Sequence, residues 1–371
     1  MKSAILDDSL RRHPIPIRVR EEILARLWGS STEPPDFVSQ HDMSVYFEYY
    51  SNQTQRFLPD GGRHICAKTH SDVARIAQNI MIGFTREELY QEICNQTPPN
   101  YHLSKEDTID NTINLCASLL VMTEIGQGHI GLSRQTPVLW EGKSLEAALA
   151  EHFTPQRTLT AHNTKLGKLF TGRNLSRISG IKIIWTTNLA DHLRLTDDDQ
   201  AVFVFHCTSF LRFQAGYEDQ SDASRSDNNT GRLKRGLFPA GLINETLQTL
   251  ALLFPSTDKE TKSWLQVKRK SKKSERIDPS LGSCGALRAH DRRFEKFSFW
   301  HDRLVILKQA FDESQPRTLS QWWLDRRNRV QWYTFWVAVF VTVMTIIFGV
   351  IQSLTGILQV ELAYEALSRE G

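Results

Sequence analysis

Between Arg329 and Glu361 the chain runs 31 residues without a formal charge. A chain carrying such a rod must either bury it in a large core or place it in lipid. The centre, residues 333–351 (YTFWVAVFVTVMTIIFGVI), is long enough to cross the hydrocarbon of a bilayer as a helix. Eleven of its nineteen residues are Val, Ile or Phe, each favouring insertion by roughly 0.3–0.6 kcal/mol near the helix centre. Thr334, Thr342 and Thr345 oppose this little, because a threonine hydroxyl bonds back to its own helix. Helices of soluble proteins usually keep a polar face, and this one has none. The sequence therefore predicts one transmembrane helix over 330–360, followed by a short tail over 361–371.

The flanks are asymmetric. Arg326, Arg327 and Arg329 precede the span, whereas Glu361, Glu365 and Glu370 follow it with only Arg369 opposing. Basic flanks stay in the cytosol, so the bulk of the chain is expected there. The amino terminus has charges every few residues and no apolar core of a secretory signal. These features predict a single-pass, tail-anchored protein whose first partner is the lipid bilayer. Trp332, Tyr333 and Trp336 fall where amphipathic rings favour the headgroup layer. Together with Arg326, Arg327 and Arg329 they form the expected membrane interface. Trp322 and Trp323 fit either that layer or the core of a preceding helix. Thr318 and Gln321 have capping-box spacing, so one helix starting near Leu319 is expected to run into the bilayer. Gly349 and Ser353 form a small-xxx-small pair that would let two such helices meet in a weak homodimer.

Ahead of the span the composition is that of a globular chain, 23% charged and 40% hydrophobic. The net charge of +3 is too small to argue for nucleic acid. Cys66, Cys94, Cys116, Cys207 and Cys284 are far apart and never in a C-x-x-C pair, which predicts reduced thiols and no zinc site. Asn52, Asn95, Asn174, Asn228 and Asn244 head N-x-[ST] sequons that only a lumenal domain could use. They are the strongest sequence argument against a cytosolic orientation.

Apolar spacing predicts a mainly α fold with a minor β element near 181–206. Helices are expected near 18–28, after Ser71, after the Thr85/Glu88 capping box, over 104–123, after Ser144 and over 244–254. Two short β-rich runs, 181–185 and 201–205, flank a helical turn, which suggests neighbouring strands. The second run also fits the start of a helix reaching Phe213. Residues 1–255 are thus expected to form a helical domain with a disordered excursion at 217–235. A polar basic linker is expected over 256–283, and amphipathic helices over 284–329. The basic residues Lys268, Arg269, Lys270, Lys272, Lys273 and Arg276 fit a nuclear signal, an anionic-lipid contact or a solvated linker.

No intact catalytic motif stands out. Residues 126–131 fit G-x-G-x-x-G, but a helix precedes them and Pro137 follows, the reverse of a dinucleotide site. Gly142–Lys143–Ser144 resembles the end of a P-loop, yet Pro137 stands where that loop needs a glycine N–H. Asp191, His192 and His206 are the nearest to a metal-ligand group, at a spacing that matches no helical ligand pair. Cys207 beside His206 cannot form a catalytic pair on a strand, where neighbours face opposite ways. No cofactor and no metal are expected. Three functional classes remain open: a membrane-tethered interaction or scaffold module, an enzyme with its site near Asp191, His192 and His206, and a membrane-perturbing stress or self-recognition effector.

Residues 180–193 (GIKIIWTTNLADHL), 300–311 (WHDRLVILKQAF) and 318–340 (TLSQWWLDRRNRVQWYTFWVAVF) resemble a large family of uncharacterised proteins from filamentous fungi. Those proteins pair a soluble region with a similar terminal hydrophobic helix. The resemblance implies a fungal source, a membrane address and a mostly helical domain. It brings no activity with it, so no catalytic residue carries over. It also implies that Trp185, Asn188, Asp191, His192, Trp300, Asp302 and Arg303 form a shared structural junction.

Overall fold

The computed structural model describes residues 5–28, 42–58, 62–96, 105–126, 136–160, 165–224, 236–271, 276–314 and 329–370. The chain divides into two compact units, one of Met1–Ser176 with Ile181–Glu313 and one of Arg177–Gly180 with Ser314–Gly371. Its architecture is mainly helical with one small sheet.

The amino-terminal half of the first unit is helical: α1 (Ile17–Trp28), α2 (Ser44–Arg56), α3 (His70–Met81), α4 (Arg86–Gln96), α5 (Lys105–Val121) and α6 (Leu145–His152). Short polar residues start several of them. Thr69 and Asp72 form a reciprocal capping box on α3. Thr85 and Glu88 do the same on α4, and the Ser144 hydroxyl accepts the Ala147 N–H on α6. Helices α2, α3 and α4 all pack on α5, which is buried all round at its carboxyl end, from Leu115 to Met122.

Helix α2 was not expected from the sequence. It carries Tyr46, Tyr49 and Tyr50 into the core, where each hydroxyl needs a partner. Tyr46 donates to Leu119 O at 2.9 Å, Tyr49 donates to Ser118 O at 3.1 Å, and Tyr50 meets His70 Nδ1 at 3.0 Å. Trp28, Tyr46, Phe210 and Phe213 stack around them, with Tyr46 and Phe210 nearly parallel at 5.8 Å.

The expected β element is present. Strands β1 (Lys182–Thr186), β2 (Leu195–Thr196) and β3 (Ala201–Phe205) form a sheet in the order β1-β3-β2. β1 runs parallel to β3 in register Lys182↔Ala201 to Thr186↔Phe205, and β2 runs antiparallel to β3. All five residues of β3 are buried, as a central strand covered on both faces requires, and so its run is apolar without alternation. The alternative of a helix starting at Val202 is therefore overturned. A short α7 (Gly172–Arg177) precedes the sheet, and the helix proper, α8 (Thr208–Ser224), begins after the strand.

Two expectations about polar stretches change. α8 continues through Ser224 into the excursion expected over 217–235; residues 225–235 lie outside the described set. The stretch 256–283, expected as a linker, carries α10 (Lys259–Lys270), which follows α9 (Leu242–Leu253), and a 3-10 turn at Pro279–Ser283. Only Thr261 and Leu265 of α10 are buried, a minority easily hidden among lysines. The buried Asp278 accepts from Ser209 N and Oγ and from Ser280 N and Oγ, while Arg269 donates to the carbonyls of Asp278 and Pro279.

Helix α11 (His301–Glu313), within the stretch expected to be amphipathic, buries Leu304, Leu307 and Phe311. The second unit holds α12 (Arg329–Glu370), 42 residues long. It passes through the stretch expected as a tail, because residues 361–370 contain no glycine or proline to end it.

Candidate functional site

Two places concentrate functional chemistry, the surface of α12 and the polar junction between β1 and β3. On α12, residues Trp332–Tyr364 form a candidate span of 33 residues that carries one charge, Glu361, near its end, with none of its most apolar window buried. At 1.5 Å per residue this is about 50 Å, against roughly 30 Å of bilayer hydrocarbon. By length and composition it is able to cross a membrane. A helical backbone bonds within itself, and the threonine hydroxyls of α12 do the same. Thr334, Thr342, Thr345 and Thr355 each donate to the carbonyl four residues back, at 2.8–3.0 Å.

Trp332, Tyr333 and Trp336 lie together on the first turns of α12. Trp332 meets Tyr333 edge-on at 5.2 Å and Trp336 at 6.0 Å, and Phe335 joins at 5.5 Å from Trp336. Arg329 is the first residue of the helix. Arg326, Arg327, Trp322, Trp323 and the expected helix start near Leu319 lie outside the described residues. Gly349 and Ser353 share one face, a turn apart, and are exposed. A methyl group at Gly349 would meet nothing within 4 Å.

At the junction, a 3-10 turn at Leu189–Asp191 follows β1, and its polar side chains point inward. Asn188 satisfies all its side-chain capacity. Its Oδ1 accepts from Ala190 N and Glu124 N, while its Nδ2 donates to Thr136 O and to Asp191 Oδ2 at 2.8 Å. Asp191 is fully buried, and its Oδ1 accepts from Arg194 Nε at 2.8 Å and from Thr136 N at 3.0 Å.

The protonation of His192 follows from its neighbours. Phe205 N–H donates to His192 Nδ1 at 3.2 Å, so Nδ1 carries the lone pair. His192 Nε2–H then donates to Thr249 Oγ1 at 2.7 Å, and Thr249 passes its own proton to Thr246 O at 2.6 Å. Both ring nitrogens are used. Burial, and then the charge of Arg303, lower the pKa to about 3, so the ring is neutral. Arg303 Nη1 donates to Ala190 O and His192 O at 2.7 and 2.6 Å, and burial lowers its own pKa to about 10.

Trp300 closes the junction. Its ring meets His192 edge-on at 4.9 Å, its Nε1 donates to Thr246 Oγ1 at 2.9 Å, and the Arg303 guanidinium lies 5.2 Å over it. Glu245 holds the approach to α11. Its carboxylate accepts the backbone N–H groups of Ser298, Phe299 and Trp300 at 2.8–2.9 Å. Burial nevertheless raises its pKa. This residue was missed in the sequence, where nothing local marks a cap supplied from 53 positions away.

Of the seven residues named for a junction, the structure brings Asn188, Asp191, His192, Trp300 and Arg303 into one network. It separates the other two. Asp302 accepts from Thr158 N, Thr158 Oγ1 and Leu159 N. Trp185 is half-buried beside Phe254, at 5.7 Å. His206 does not join His192. Its Nδ1 accepts from Asp278 N at 3.4 Å, its Nε2 has no hydrogen-bond partner among the described residues, and burial lowers its pKa to about 4. Among the described residues no group of three or more His, Cys, Asp or Glu is placed to hold a metal. The five cysteines are free thiols.

No protein-family model matches this chain, no curated protein is significantly similar to it, and no solved structure matches it significantly. Function must be argued from the residues themselves.

Proposed function

We infer that the protein is a single-pass membrane protein whose first unit is an interaction or scaffold module held at the cytosolic face of a bilayer. The observation that carries this reading is α12, with 33 consecutive residues apolar enough to span and none of the most apolar window buried. In water that surface would associate or aggregate, whereas in lipid it is matched to its solvent.

The basic residues ahead of the span and the acidic ones after it support the cytosolic orientation. The sequons argue against it less than their number suggests. Asn174 is buried and bonded to Leu169 O. The sequon hydroxyls of Thr54 and Thr246 are fully buried and bonded within helices. An interaction module is favoured over an enzyme at the junction because Asn188, Asp191 and His192 spend their polar atoms on internal bonds. These residues hold β1, β3 and α11 together and present no free group to a substrate.

The test is extraction of the full chain from membranes with alkaline carbonate, beside a version truncated before Val330. The full chain is expected in the pellet and the truncated one in the supernatant. Protease added outside intact organelles should digest the first unit. Release of the full chain by carbonate would refute the anchor. Protection of the first unit in sealed organelles would reverse the orientation.

A further inference from the structure

The charge of this protein is not spread evenly. Residues 259–276 contain eight Lys or Arg and two Glu, a net of +6, while the whole chain carries +3, so everything outside this stretch sums to −3. Most of the excess lies on or just after α10. Helix α10 is fixed in the first unit on one side only. Thr261 and Leu265 are buried, Trp264 stacks on Phe254 at 6.5 Å, and Asp258 caps the start by accepting the Glu260 N–H.

At 100° per residue, Lys259, Ser263, Gln266, Val267 and Lys270 point away from the buried pair, with Lys262 at the flank. Lys259, Lys262, Lys268 and Lys270 are exposed, Lys268 toward the buried side with its Nζ 5.5 Å from the Trp264 ring, and Val267, beside Lys259 and Lys270 on the outward side, is 67% exposed. Arg269 is the exception, tied to the Asp278 and Pro279 carbonyls, and it holds the carboxyl end of the helix in place. The result is an outward face on which Lys259 and Lys270 accompany the apolar Val267, with Lys262 and Lys268 at its edges.

We propose that this face of α10 docks on the anionic headgroups of the bilayer in which α12 is embedded. The inference rests on the anchor reading, since that reading brings a lipid surface within reach. Two features select lipid over other polyanions. The lysines are exposed point charges on flexible stems, suited to a fluid headgroup layer. Val267 offers an apolar contact at the height of the lysine side chains, as interfacial helices do.

The test uses the full chain reconstituted into vesicles of phosphatidylcholine alone or with about 30 mol % phosphatidylserine. Trypsin cleavage after Lys270, at the end of α10, is followed by peptide mass spectrometry, with cleavage after the exposed Arg12 as internal reference. Cleavage after Lys270 is expected to slow about fivefold or more in the anionic vesicles at low salt, and to recover at about 0.5 M salt, where screening is short-ranged. In the variant K259Q/K262Q/K268Q, which alters only exposed side chains and keeps the cleavage site, the protection should vanish. Equal cleavage in both vesicle types overturns the proposal. So does equal protection in neutral vesicles by soluble polyuridylate or polyglutamate, which would assign the face to nucleic acid or an acidic protein. Retention of the chain on both vesicle types after alkaline washing is read separately. Its loss would overturn the anchor and this inference together, while its persistence with unprotected Lys270 overturns this inference alone.

Discussion

Helices α3 and α12 are both rich in Val and Ile, yet they answer to different solvents. In α3, Val73, Ile76, Ala77 and Ile80 lie on one side and are buried, while Asp72, Arg75 and Asn79 stay at the other. In α12 the apolar residues go all the way round, and from Val337 to Tyr364 all but the half-buried Val339 and Met344 are exposed. The first pattern says that a protein core covers half a helix and water the other half. The second leaves no side for water. The difference between them predicts that polar substitutions on the two units have opposite consequences.

The largest effect should come from charge placed in α12. The double variant V343R/I347R puts two guanidinium groups near the middle of the apolar stretch, at about 2.5–3.5 kcal/mol each, or roughly 5–7 kcal/mol for the pair. Carbonate extraction should then release the chain from membranes. The matched change I306R, at an exposed position on α11, should alter stability by no more than about 0.5 kcal/mol and leave retention intact. If both variants stay in the pellet, α12 does not owe its place to lipid.

Next in size is the junction. Trp300→Ala removes a fully buried ring that touches His192 and Phe153 and donates to Thr246. It should destabilise the first unit by about 3–5 kcal/mol without affecting retention, since α12 keeps its own solvent. Urea unfolding of the full chain in detergent, followed by tryptophan fluorescence, measures it. An unchanged midpoint would mean that the network around His192 does not hold the unit together.

Acid should separate the units more gently. Burial lowers the pKa of His70 to about 4, of His192 to about 3 and of His206 to about 4, from an ordinary 6.5. Below pH 6.5 the unfolded chain takes up protons that the folded unit refuses. The stability these groups contribute is therefore complete above that pH, and it falls as the pH drops toward 4 and then 3. Each histidine steepens the loss by at most about 1.4 kcal/mol per pH unit. The urea midpoint should fall between pH 6.5 and 4.5, and His206→Leu should make that fall shallower. A midpoint flat across the same window would show that the three rings are not held neutral. Membrane retention should not change over this range.

How much of this could be read from the sequence depended on the distance between partners. The α12 span, the spacing on α3 and α5, the Thr85/Glu88 cap and the strand pair β1 and β3 were legible because their signals lie within a few residues. α2 was not, because its tyrosines are justified only by the Ser118 and Leu119 carbonyls about 70 residues away. Glu245 and Trp300 find each other across 55 positions. Gly172 gives no local sign of its role, yet a Cβ there would collide with the Phe254 ring. Asp191 and His192 were noticed as chemistry-bearing residues. Their partners were not legible: Asp191 meets Thr136 from 55 positions away, and His192 meets Thr249 on α9 from 57.

The smallest effects should again set the two units apart, through one kind of hydroxyl. In α12, Thr342 and Thr345 bond only to carbonyls of their own helix. Those carbonyls already accept helical N–H groups, so the hydroxyls can be lost cheaply. Thr342→Val with Thr345→Val should therefore leave retention and helix content unchanged, within about 0.5 kcal/mol. In α9, Thr246 makes the same bond to Leu242 O at 2.8 Å, but its oxygen also accepts the indole N–H of Trp300. Thr246→Val strands that buried donor, at a cost of about 1–3 kcal/mol, read as a lower urea midpoint for the first unit. Trp300→Phe, which removes the donor as well, should make the further change Thr246→Val nearly neutral. A double-mutant cycle with no coupling between positions 246 and 300 would show that the indole bond does not contribute, and that the junction is held by apolar packing alone.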